Sequence, residues 1–168
     1  MSFDLEALFD AHHDPLYGYL VRLVGDPELA ADAAQEAFVR LSQRPPRDTS
    51  NVKAWLYTVA TNFAFDTLKV ARRRAEILTA APDSAPTGEA APPPDVSLER
   101  LERRKTVRDA LDQLREKERT TLLMRAEGFS YREIGKALSM PANSVGVVAA
   151  RALRKLAALL QTQEAILQ

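Results

Sequence analysis

Apolar residues recur at spacings of three and four along nearly the whole chain, the period of a helix that buries one stripe. No stretch alternates apolar and polar residues as a half-buried strand would, and there is no glycine-rich phosphate-binding turn, so the pattern predicts an all-α fold. Leu5, Leu8, Phe9, Leu16, Tyr19, Leu20 and Leu23 form the first stripe and predict a helix from Phe3 to Val24, with Pro15 placed to kink it. Gly25, Asp26 and Pro27 then read as a stop and a restart, with Asp26 capping a second helix that begins at Pro27. That helix is expected to reach about Leu41, ahead of Pro45 and Pro46. A polar loop, Arg47 to Asn51, leads into a long third helix from Val52 to about Leu78, its buried stripe being Trp55, Leu56, Val59, Ala60, Phe63 and Leu68.

Periodicity stops at Thr79. The run TAAPDSAPTGEAAPPPD, ending at Asp95, has no large apolar side chain and cannot offset the entropy of ordering, so a flexible, extended tether is expected. The chain is thus expected to hold two small helical domains, residues 1–78 and 97–168, joined by a Pro/Ala-rich acidic linker over 79–96. In the second domain Ser97 predicts the cap of a fourth helix through Leu111, and Leu114 to Glu127 predicts a fifth. Gly128 suits the left-handed residue that closes a helix, and Ser130 followed by Glu133 is a capping box that starts a short helix near Tyr131. Ser139, Met140 and Pro141 break it, with Pro141 suited to the first turn of the next helix. There Val145, Ala149, Ala152 and Leu156 recur at helical spacing and leave Arg151, Arg154 and Lys155 outward. Two helices across so short a turn form a helix-turn-helix, the shape that lays one helix in the DNA major groove.

Composition narrows the classes of function. The 168 residues include no cysteine, which excludes disulfides and thiolate metal sites and fits a reducing compartment. No apolar run could span a bilayer, and MSFDLEALF is acidic and amphipathic rather than a signal peptide, so a cytoplasmic location with no membrane partner is expected. The only histidines, His12 and His13, are neighbours on a helix and cannot face one ligand. No nucleophile–base or paired-carboxylate arrangement stands out, so no catalytic residue, cofactor or metal is expected. Net charge is zero, yet it is unevenly distributed: residues 1–44 carry −5, 45–75 carry +4, 76–99 carry −5 and 100–168 carry +6. Two basic blocks can follow a phosphate backbone while the acidic blocks face other surfaces.

Two motifs in the first half, DAAQEAF (Asp32 to Phe38) and AWLYTVATNFAFDTLK (Ala54 to Lys69), carry a resemblance. So does ALDQLREKERTTLLMRAEGFSYREIGKAL (Ala110 to Leu138) with the helix that follows it. Together they resemble regions two and four of bacterial RNA polymerase sigma factors of the extracytoplasmic-function (ECF, group IV) type. The resemblance implies a three-helix region two and a helix-turn-helix region four. It also implies binding to core RNA polymerase (β′ clamp and β flap) and promoter DNA, transcription initiation without enzymatic activity, and control by an anti-sigma factor. On this basis Asp32, Gln35, Glu36, Phe38 and Arg40 would bind the β′ clamp helices. The first three sit on nearby turns and offer acceptors to a basic coiled coil. The loop Asp48, Thr49, Ser50 and Asn51 together with Asn62 would form a pocket for a flipped minus-ten base, with Tyr57 available to stack. The helical phase of Trp55 instead points to the core. Lys69, Arg72, Arg73 and Arg74 would hold upstream phosphates. The acidic linker, with Asp83, Glu89 and Asp95, would thread a basic channel or act as a plain tether.

Minus-thirty-five binding would fall to Arg132, Lys136, Asn143, Ser144, Val147, Val148, Arg151, Arg154 and Lys155. Here the chain departs from the family pattern. Where members commonly have Gly-Thr-Val-Lys-Ser-Arg, this chain has NSVGVV over Asn143 to Val148, so two bases and a hydroxyl are missing from positions expected to face the groove. Gly146 also weakens the helix by roughly 1 kcal/mol relative to alanine. The valines could meet thymine methyl groups, dock on another protein, or mark degraded recognition. Arg115 stands where the family usually has proline, which alters one turn. A competing function is a sigma-like interaction module that binds an anti-sigma factor without driving transcription; the apolar recognition helix favours it.

Overall fold

The computed structural model describes residues 4–78 and 95–167. Of the tether expected over 79–96, residues 79–94, with Asp83 and Glu89, lie outside the described residues, as does the start of the first helix at Phe3. The described residues form seven α-helices that group into two compact units, residues 4–78 and 95–167.

In the first unit α1 (Leu5–Val24), α2 (Pro27–Gln43) and α3 (Val52–Leu78) pack against one another in every pairing. Local chemistry sets each boundary. The Asp4 carboxylate accepts from the Ala7 amide at 3.1 Å, and Asp26 accepts from the amides of Glu28 and Leu29, so both helices start on a side-chain cap. Asn51 does the same for α3, its side-chain oxygen accepting from the Ala54 amide at 3.0 Å. Helix α1 runs on through Pro15. Leu16, Tyr19, Leu20 and Leu23 meet Leu29, Ala33, Ala34, Ala37 and Leu41 in a core rich in alanine, which lets the backbones approach closely.

Two expectations about this core need correction. Leu5 and Phe9 are exposed at 37% and 43%, because they line an open groove between α1 and α2 rather than the closed core. On α3 the buried phase runs Val52, Leu56, Tyr57, Ala60, Thr61, Ala64 and Phe65, leaving Trp55, Val59 and Phe63 half-buried. Two polar side chains enter this core because each satisfies the other: the Tyr19 and Thr61 hydroxyls share a hydrogen bond of 2.9 Å.

In the second unit α7 (Ala142–Leu167) packs on α4 (Leu98–Asp112), α5 (Glu116–Ala126) and α6 (Tyr131–Leu138). Ser97 caps α4 and Ser130 caps α6, the latter accepting from the Glu133 amide at 3.1 Å. Gly128 takes the left-handed conformation, φ 91°, between α5 and α6. Pro141 sits just ahead of α7, its carbonyl accepting from the amides of Ser144 and Val145. A Cβ at Gly135 would lie 2.6 Å from the Met140 carbonyl oxygen, so only glycine lets the turn fold back over α6. That turn passes through Ser139, left-handed at φ 55°.

Candidate nucleic-acid and polymerase interface

On α2, Asp32 and Gln35 are exposed and Glu36 half-buried, one turn apart on a single face. The Arg40 Nε donates to Glu36 Oε1 at 2.7 Å, and its guanidinium lies 6.0 Å from the centre of the Phe63 ring. The ion pair is open to water and worth only a few tenths of a kcal/mol, so a partner could exchange it at little cost. Phe38 is 6% exposed, and with Gln35 it lines an open groove of about 430 Å³ between α1 and α2 that also takes in Leu5, Phe9, His13 and Val39. Phe9 stacks on His13 at 4.5 Å and meets the edge of Phe38 at 5.0 Å.

The loop before α3 is shaped by its own side chains. Asp48 Oδ1 accepts from the Ser50 amide at 2.9 Å, and Asn51 caps the helix, so Thr49 and Ser50 form the exposed tip between two anchored residues. Asn62 is exposed two turns beyond Trp55 and seven residues before Lys69, so the three share the face of α3 turned from the core. Lys69, Arg72, Arg73 and Arg74 follow, all exposed. A polar amide, an aromatic edge and a run of cations therefore lie along one helix.

In the second unit the phase of α7 is set by Val145, Ala149 and Ala152, all buried. Asn143, Val147, Ala150, Arg151 and Arg154 occupy the opposite, exposed face, and Arg132 and Lys136 are exposed on α6. Ser144 is half-buried beside the core stripe.

Residues 8–74 match the family described as Sigma-70 region 2, and residues 104–156 match Sigma-70, region 4. The ECF RNA polymerase sigma factor SigL of Mycobacterium tuberculosis is 36% identical over 123 residues, covering 70% of this chain and 66% of that one. The chain belongs to the ECF sigma factors. The RNA polymerase sigma-H factor of Pseudomonas aeruginosa is 34% identical over 168 residues, covering 91% of this chain and 81% of its own. The fold agrees with that of the sigma factor RpoE from Bartonella quintana, solved with the anti-sigma factor NepR: TM-score 0.77 at 21% identity, over 94% of this chain and 97% of that one. Among the described residues of this sigma factor, no helix is long and apolar enough to cross a membrane.

The structure overturns one expected contact of the sigma factor and places two others differently from an open helix face. Tyr57 is fully buried, its ring 4.9 Å from that of Tyr19, and cannot stack on a base without opening the core. Its polar hydroxyl made an outward position plausible; the buried phase of α3 decides otherwise. Lys155 does not stand free for phosphate: its Nζ donates to Glu118 Oε1 at 2.7 Å, tying α7 to α5. Val148 is half-buried on the shoulder of the core stripe, leaving Val147, 58% exposed, as the outward valine.

Other features of the sigma factor were not anticipated. Glu118 is 5% exposed and bonds in two directions, to Lys155 and, through Oε2, to the Arg115 amide at 3.1 Å. The Lys155 hydrogen bond holds its carboxyl below the usual range against the opposing effect of burial, with the Arg115 amide assisting. The S/T-x-x-E rule passes over this cap because Arg115 has no short polar side chain, although Glu118 stands at the right spacing. The Tyr131 ring lies over Gly146, where an added Cβ would stand 3.4 Å from it, and Arg125 stacks on that ring at 4.8 Å. The aromatic groove of α1 is legible in retrospect from Phe9, His13 and Tyr17, which recur every fourth residue.

Proposed function

We propose that this ECF sigma factor binds core RNA polymerase, directs it to promoters and starts transcription, under the control of an anti-sigma factor. Residues 1–78 act as region two and 97–168 as region four, joined by 79–96. Asp32, Gln35, Glu36 and Arg40 meet the β′ clamp helices, with Phe38 lining the groove beside them. The Asp48–Asn51 loop and Asn62 receive an unpaired minus-ten base. The aromatic available to stack there is Trp55, which is half-buried on the face of Asn62, in place of the enclosed Tyr57. Lys69, Arg72, Arg73 and Arg74 hold phosphates, and Arg132, Lys136, Asn143, Ser144, Arg151 and Arg154 place α7 at the minus-thirty-five element, near the β flap. The protein remains in the cytoplasm and performs no catalysis of its own.

The observation that carries this reading is the sequence of two distinct surfaces along α2 and α3, an acidic one followed by an amide–aromatic–cation face. A stand-alone helix-turn-helix repressor has no use for either. Anti-sigma control is supported by the Bartonella quintana sigma factor, which was solved with such a partner.

The test is assembly and DNA opening with bacterial core polymerase. The expected result is a one-to-one complex that makes thymines near minus ten reactive to permanganate, and a complex that weakens on Asp32→Lys and Glu36→Lys substitution. A chain that binds core but opens no DNA supports the interaction-module reading instead.

A further inference from the structure

The recognition helix of this sigma factor lacks the hydrogen-bonding side chains that read guanine or adenine edges from the middle of such a helix. Its outward face begins with Asn143, continues with Val147 and Ala150, and reaches cations only at Arg151 and Arg154. Val147 stands two residues from the buried Val145 and two from the buried Ala149, so it points almost directly away from the core. It is 58% exposed, so more than half of this β-branched apolar side chain is open to solvent.

We propose that Val147, with the Ala150 methyl one turn on, reads the 5-methyl group of thymine in the upstream promoter element. This rests on region four binding DNA, as proposed above, and names what it reads there. Three features favour DNA over a protein partner. The exposed apolar residues here, Val147 and Ala150 with Leu153 a turn further on, form a strip along one helix rather than the broad central cluster of a protein–protein anchor. Exposed Arg132, Lys136, Arg151 and Arg154 lie on the same two helices, and such a cationic setting suits phosphates. The Tyr131 ring covers Gly146 on the flank of the helix, so the outward strip is bounded on that side by an aromatic held under Arg125. Arg125 is in turn anchored to the Phe129 carbonyl at 3.1 Å, which keeps it out of the groove. The rim is fixed, the strip is apolar, and thymine is the only base with a matching apolar group in the major groove.

The experiment uses the full chain with core polymerase on promoters selected from a randomised pool. Each upstream thymine is replaced in turn by deoxyuridine, which removes the methyl group and nothing else. At one or two positions, output is expected to fall about fourfold, the factor for removing one buried carbon group. Val147→Ala should lower output on the thymine template and reduce the deoxyuridine effect at the same position, with the far-ultraviolet circular dichroism spectrum unchanged. Val147→Thr, which keeps one methyl, should fall between. Deoxyuridine that is silent at every upstream position while transcription remains promoter-selective overturns this inference alone, and assigns Val147 to another partner. Loss of promoter selection altogether overturns the underlying sigma-factor reading instead.

Discussion

Removing the Glu118–Lys155 bridge should loosen the seat of the recognition helix without touching any proposed DNA contact. The Glu118 carboxylate is nearly buried and serves two helices, closing the start of α5 through the Arg115 amide and holding α7 through Lys155. Lys155→Met leaves the carboxylate without its cation. Breaking a fully buried pair in this way costs about 3–5 kcal/mol, and an exposed one almost nothing. The Lys155 side chain is 45% exposed, so water can partly replace it, and a cost of about 1–2 kcal/mol follows. Glu118→Gln keeps an acceptor for the Arg115 amide, because glutamine serves at this capping position, and should cost about 1 kcal/mol. The double variant should be less destabilised than the sum, by about 1 kcal/mol of coupling. In a unit of this size each kcal/mol shifts Tm by roughly 4–8 °C. Thermal unfolding followed by circular dichroism measures the change, and fluorescence of Trp55, on α3 of the other unit, is the control that should not move.

The pH dependence has a definite sign. Because the folded pKa of Glu118 is lowered, its contribution is complete at neutral pH. It is lost as pH falls below the unfolded value, about 4.3, and through the folded one. Wild type and Glu118→Gln should therefore converge in acid. Additive single-variant costs, or a gap between wild type and Glu118→Gln that stays unchanged from neutral pH into acid, would refute the bridge's role.

Three further outcomes are expected. Tyr19→Phe leaves the Thr61 hydroxyl buried without its partner and should destabilise the first unit by about 1–3 kcal/mol, read as a lower urea midpoint in Trp55 fluorescence. Asn62→Ala should reduce permanganate-detected opening at minus ten while core binding, measured by gel filtration, stays at the wild-type level; equal loss of both would show that Asn62 supports the fold. Replacing Lys69, Arg72, Arg73 and Arg74 with glutamine should reduce the slope of log affinity against log salt by up to about 0.9 for each phosphate no longer neutralised, with little change in which promoters are chosen.

Much of the fold can be read from local chemistry. Asp26 with Pro27, Ser97, Gly128 and Ser130 each announce a helix boundary through a side-chain cap or a left-handed turn, and each boundary falls where that chemistry puts it. Where helices meet, the sequence is less informative. Trp55 and Tyr57 both fit an amphipathic α3, and the choice between them depends on where α1 places Tyr19 against Thr61. Lys155 looks like one more outward cation until α5 brings Glu118 to it across 37 positions of chain. The need for glycine at position 135 comes from the returning Met140 carbonyl, a contact that no helical period encodes. The candidate polar surfaces were legible because they lie on single helix faces; their competitors for the same side chains came from other helices.

A sigma factor gives core RNA polymerase a choice of promoter. Run-off transcription from a pool of randomised promoters, with and without the protein, tests it directly. Added protein is expected to enrich transcripts from templates sharing two spaced elements, the upstream one containing thymines. A transcript population that the protein leaves unchanged, although it binds core polymerase, would contradict it.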